Sequence, residues 1–122
     1  MAVFHLDQTA CGTNTNVTAT AARLSAIHVD LPTDGLSALA NVMIYDTASA
    51  PTAGTDVPVA AFALPLPATS GLRGRVKLVF PAGGKRMANG IGISVTTVFN
   101  GNTLVTTTAR PAGIDVYFEP GN

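Results

Sequence analysis

The 122-residue sequence predicts an all-β fold, an antiparallel β-sandwich of jelly-roll-like form with about eight or nine strands. Three observations carry that prediction. Apolar residues recur with period two along most of the chain and with helical period almost nowhere. Thr and Val, which favour strands, supply much of the bulk, whereas the Glu, Lys and Gln of solvent-facing helices are scarce. Turn signals rich in Gly, Pro and Asn separate the alternating runs. A chain of this length is read as one domain, residues 1–122, able to bury roughly two-thirds of the surface its unfolded form exposes.

Taken in order, a short run at Val3 to Leu6 and another at Val17 to Ala21 open the pattern. Ile27, Val29 and Leu31 then alternate with His28 and Asp30. Val42 and Ile44 alternate with Met43 and Tyr45, which predicts a strand covered on both faces. Phe62, Leu64 and Leu66 alternate with smaller residues. Val76, Leu78 and Phe80 face one way while Arg75 and Lys77 face the other. Ile91, Ile93, Val95, Thr97 and Phe99 come next, and a short run lies at Thr103 to Thr107. Ile114, Val116 and Phe118 close the pattern, opposed by Asp115, Tyr117 and Glu119. Asn100-Gly101 is a hairpin signal, because both residues accept the positive φ of tight hairpin turns. Pro32 to Gly35 and Pro81 to Gly84 read as turns, and Asn89-Gly90 as the entry to the Ile91 strand. Thr47 to Pro58 reads as a long exposed loop, and Gly35 to Ala40 is the one candidate helical turn.

Composition narrows the function. Charged residues make up 11% of the chain, against about 25% in ordinary soluble domains, and seven bases balance seven acids. That balance argues against nucleic-acid or membrane partners. A surface so neutral tends to associate, so partners or copies of the chain itself are expected to cover much of it. No apolar run reaches a membrane span. The first residues carry no basic region followed by an apolar block, so synthesis and folding in a reducing cytosol are expected, with the lone Cys11 a buried or incidental thiol. Charge is unevenly placed: Arg73, Arg75, Lys77, Lys85 and Arg86 fall between 73 and 86 with no acid among them. They are the candidate interface residues, read either as a docking edge for an acidic surface or as the solvent face of a guarded edge strand.

No reactive constellation stands out. His5, His28 and Cys11 lack metal-ligand spacing, and Asp30 with Asp34 lacks the oxygen density of a calcium loop. No Gly-x-Ser-x-Gly elbow is present, and Gly83-Gly84-Lys85 is followed by Arg86 where a phosphate loop needs Ser or Thr. Glycosidase chemistry would have to draw on Glu119 and six aspartates placed mostly at turns and strand ends. The chain is therefore expected to be no enzyme, with no cofactor and no metal. A small carbohydrate-binding or hydrolytic β-sandwich is the alternative of another class.

The segment Ile44-Tyr45-Asp46-Thr47-Ala48-Ser49-Ala50-Pro51-Thr52-Ala53-Gly54-Thr55-Asp56-Val57-Pro58-Val59 resembles small virion proteins of tailed bacteriophages. Their pattern runs from a strand ending Tyr-Asp, through a loop Ala-Pro-Thr-x-Gly-Thr, to Pro-Val and a further strand. Phe62 to Pro65, Phe80 to Gly83 and Gly90 to Thr97 are similar to later parts of that pattern, so the resemblance spans roughly residues 24 to 118. Ala68 to Arg75 departs from it as an added basic loop. The resemblance implies a virion structural protein made in the bacterial cytoplasm, foremost a capsid decoration (cement) protein. Its implied partner is the major capsid protein, and its implied state is a homo-oligomer, a trimer. A tail, neck or fibre component acting in host attachment is the alternative.

Overall fold

The structure, a computed structural model, describes residues 1–32, 36, 38, 40–64, 74–97, 103–105 and 110–121. Among the described residues nine strands run in chain order: β1 (Ala2–Asp7), β2 (Thr15–Thr18), β3 (Ala22–Asp30), β4 (Asn41–Tyr45), β5 (Ala60–Ala63), β6 (Arg75–Val79), β7 (Lys85–Met87), β8 (Ile91–Thr96) and β9 (Gly113–Pro120). A 3-10 turn, Ala10–Gly12, joins β1 to β2.

The strands form two antiparallel sheets packed as a β-sandwich. The first has the order β1-β9-β3-β6, with β7 also pairing β3, and the second has the order β2-β8-β4-β5. With β7 set aside, the pairing is nested: β1 with β9, β2 with β8, β3 with β6 and β4 with β5. Each nested pair alternates between sheets in the manner of a jelly roll, so the expected architecture is observed.

The expected alternation places the core. Leu24, Ile27 and Val29 of β3, Ile114 and Val116 of β9, Val42 and Ile44 of β4, and Ile91, Ile93 and Val95 of β8 are almost wholly buried between the sheets. Cys11 lies in the same cluster. Burial, and then the Asp7 carboxylate, push its thiol up to about 12, so it stays protonated and unreactive at neutral pH.

Two departures from the alternation shape the first sheet. The register of β3 against β9 shifts between Leu24 and Ala26, a β-bulge that brings Arg23, Ala26, His28 and Asp30 to the outer face. Opposite it, β6 and β7 behave as one edge strand interrupted by a turn. Phe80 N–H donates to Ser25 O at 3.0 Å, and Gly84 N–H donates to Pro81 O at 2.9 Å. Gly84 has φ +72°, and a Cβ there would lie 2.8 Å from Leu24 O, so the close return of β7 to β3 requires glycine.

Several expectations are revised. β7 is not signalled in the sequence, because Gly83-Gly84-Lys85 reads locally as a turn. Leu104 makes only an isolated bridge to Thr96, so the described part of Thr103 to Thr107 is not a strand. The segment Thr47 to Pro58 is not simply exposed. Pro51 and Ala53 are buried, and a Cβ on Gly92 of β8 would come within 2.8 Å of Thr47 Cγ2 and 3.0 Å of Pro51 Cδ. The loop is folded onto the outer face of the second sheet. The Asn100-Gly101 hairpin, most of the Ala68 to Arg75 insertion and parts of the Pro32 to Gly35 and Gly35 to Ala40 segments lie outside the described residues, although Leu36 and Ala40 are buried.

Candidate functional site

The site is the outer face of the first sheet, built from residues that alternate with the core positions of β1, β9, β3 and β6–β7. Strand register sets these residues in four levels across the sheet. Asp7, Gly113, Asp30 and Arg75 form one level, and His5, Asp115, His28 and Lys77 the next. Val3, Tyr117, Ala26 and Val79 form an apolar third level, with Val3 55% and Val79 66% exposed. Glu119, Arg23 and Arg86 form the fourth.

Charge is concentrated here. Four of the seven acids (Asp7, Asp30, Asp115, Glu119), four of the seven bases (Arg23, Arg75, Lys77, Arg86) and both histidines lie on this one face. It is also graded. The bases lie on the β3 and β6–β7 side, while Asp7, Asp115 and Glu119 lie on the β1 and β9 side.

The two histidines play opposite hydrogen-bonding roles. His5 Nδ1 lies 2.6 Å from Asp115 Oδ1, so its Nδ1–H donates to the carboxylate. Arg75 Nη1 lies 3.3 Å from His28 Nδ1. A guanidinium can only donate, so that nitrogen accepts and the His28 ring is neutral. Desolvation, followed by the charges of Lys77 and Arg75, lowers the His28 pKa and agrees with that assignment. The His28 ring also packs against Tyr117 with centroids 4.6 Å apart and planes tilted by 51°.

Arg75 joins these groups. Its Nε and Nη2 donate to Asp30 Oδ1 and Oδ2 at 2.7 and 3.2 Å, and Nη2 lies 3.6 Å from Asp115 Oδ2. The fork fits the planar carboxylate of Asp30, a geometry that a lysine could not supply.

The sequence-predicted interface residues therefore separate. Arg75 is neutralised within the chain. Lys77 and Arg86 project from the outer face and, among the described residues, form no ion pair. Lys85 is in register with buried Leu24, so this half-buried lysine points to the core side of the edge, where a charge discourages strand addition. Arg73 lies outside the described residues. Alternation in the sequence places His28 and Tyr117 on the outer surface but does not reveal Arg23 or the grouping of His5, Asp30 and Asp115 with Arg75. Alternation shows which way a side chain points, but residues 110 positions apart meet only once register is known.

The Tyr45-Asp46 pair serves the fold. The Asp46 carboxylate accepts from the backbone N–H groups of Ala88, Asn89 and Gly90 at 3.1, 2.8 and 3.3 Å, fixing the turn from β7 into β8. Among the described residues no group of three His, Cys, Asp or Glu side chains is arranged to hold a metal ion. The His5–Asp115 pair has no described hydroxyl or thiol hydrogen-bonded to it, so it forms a surface contact without a nucleophile in line. No helix among the described residues is long and apolar enough to cross a membrane. No family model matches this chain, and no similar curated protein or solved structure was found.

Proposed function

We propose that the chain is a non-enzymatic structural protein of a tailed-bacteriophage virion, a capsid decoration protein that binds the major capsid protein and stabilises the shell. The observation that carries the reading is the placement of charge. A sandwich with few charges overall gathers eight of its fourteen charged side chains on one sheet face and spreads the other six over the rest of the chain. Such a division suits a protein that works by being covered, since the centres of protein interfaces are depleted in Lys, Glu and Asp. The resemblance around Ile44 to Val59 supplies the virion setting. Jelly rolls serve capsids, lectins and cupins alike, so the fold alone does not decide between them.

In this reading the unpaired cations along the β6–β7 edge meet acidic side chains of the capsid subunit, and repetition around the shell multiplies a modest contact. The test is the copy number of the protein in purified virions, measured by quantitative mass spectrometry against the major capsid protein. One copy per capsid subunit, or per few, supports decoration. A total of roughly six to a few dozen, set by the symmetry of a tail or neck, would replace decoration by a tail, neck or fibre role. Absence from the particle would overturn the virion reading.

A further inference from the structure

We propose that Asn89 is a latent modification site, a succinimide-forming Asn-Gly bond that the Asp46 carboxylate holds shut in the folded chain. The assignment is independent of the virion reading. It rests on how the turn between β7 and β8 grips Gly90.

Asn-Gly is prone to one spontaneous reaction, because glycine leaves the backbone nitrogen after the asparagine unshielded. The Gly90 nitrogen attacks Asn89 Cγ and gives up its proton, a C–N bond forms, and the side-chain amide leaves as ammonia. Water then adds to either carbonyl of the five-membered imide and breaks one of its C–N bonds. The product is aspartate or isoaspartate at position 89, and the isoaspartate form carries an extra carbon in the backbone. Asn89 is exposed, so water reaches its side chain.

Gly90 is held instead. Its N–H donates to Asp46 Oδ1 at 3.3 Å, and the same oxygen accepts from Asn89 N–H at 2.8 Å. Ala88 N–H donates to Oδ2 at 3.1 Å, so one carboxylate fixes three consecutive peptide groups. Two carbonyls confine the glycine further. Its φ is +154°, and a Cβ there would collide with Thr18 O and Thr47 O. Those oxygens are themselves tied down, since Asn16 Nδ2 donates to each at 3.2 Å and to Ser49 O and Ile91 O at 3.3 Å. Ring closure must swing the peptide between positions 89 and 90 toward the Asn89 side chain. That swing takes the Gly90 N–H off a charged acceptor and shifts a residue that the two pinned carbonyls leave little room to move.

The clasp works in one direction. A backbone lengthened at position 89 no longer matches three N–H groups to the two oxygens of Asp46. Conversion also adds a negative charge to a turn built on a carboxylate, so the clasp does not re-form.

Peptide mapping by mass spectrometry tests this on the full chain after incubation in warm, mildly alkaline buffer. It reads Asn89 apart from Asn100, the other Asn-Gly asparagine of the sequence. A hydrogen bond to a charged group must break before closure, so Asn89 should convert at least about tenfold more slowly in the folded chain than in urea. Asp46→Ala should remove most of that protection without urea, and Asp46→Asn, which keeps one acceptor oxygen, should fall between. Ile27→Ala opens a cavity in the first-sheet core and controls for a general loss of stability. It should leave the Asn89 rate within about twofold of the unmodified chain, because the turn opens locally. Conversion as fast in the folded chain as in urea, no acceleration by either Asp46 variant, or equal acceleration by Ile27→Ala would overturn the proposal.

Discussion

The second sheet is roofed by the chain's own loop, while the first is bare. In β4 and β8 both faces are buried: Met43 and Tyr45 lie on the outer side yet are 0% and 1% exposed, and Thr47 and Pro51 of the chain's own loop pack over Gly92, the register partner of Tyr45. In β3 and β9 the outer positions carry charge and remain open. Both sheets share one core, so the core does not account for the difference. The outward residues of an alternating strand can be polar because water covers them, or small and apolar because protein does. The few charges of this chain are thus unevenly divided, eight on one face and six elsewhere, and averaging over the sequence hides the division.

The contrast can be tested first by truncating one side chain from each outer face. Met43→Ala should cost about 2–5 kcal/mol, because it opens a cavity at a fully buried position, whereas Val79→Ala should change stability by less than about 0.5 kcal/mol. Urea unfolding of both variants measures the difference, and equal costs would mean that the outer side of the second sheet is no more tightly packed than that of the first. Asp46→Ala should come next, at about 1.5–3 kcal/mol, because three backbone donors lose a charged acceptor. Hydrogen exchange at Ala88 to Gly90 should rise with it.

The smallest effect concerns the bare face and pH. The folded-state pKa of His28 is lowered, so the unfolded chain takes up the proton more readily. The stabilisation is complete above the unfolded histidine value of about 6.5 and declines as pH falls through it. Urea midpoints at about pH 7.5 and 5.5 should therefore differ less in His28→Gln than in the unmodified chain. An unchanged difference would show that His28 is not a source of the slope.

Much of the sandwich is legible in the sequence because its strands are locally consistent. Val42 to Tyr45 and Ile114 to Phe118 carry period-two patterns bounded by turns, and each is a strand close to its expected position. β7 is not legible, since three residues after a Gly-Gly turn have no period of their own and are strands only because β3 pairs with them. The outer face is half legible. Arg75 and Lys77 show their direction by alternation, but the Asp30 carboxylate that neutralises Arg75 comes from 45 positions away. Nor does the loop Thr47 to Pro58 reveal that it folds back, because small residues and prolines read alike in solvent and against a sheet.

The nested pairing also orders the events of synthesis. β9, the latest of the strands to leave the ribosome, sits between β1 and β3, which have no contact ladder with each other. Until residues 113–120 emerge, β1 has no partner in its sheet and β3 offers one open edge. The first sheet therefore closes after translation of β9, through contacts that span almost the whole chain, and such long-range closure is slow. A nascent chain that stalls before β9 presents two unsatisfied strand edges, which marks it as incomplete to any chaperone or protease that binds extended backbone.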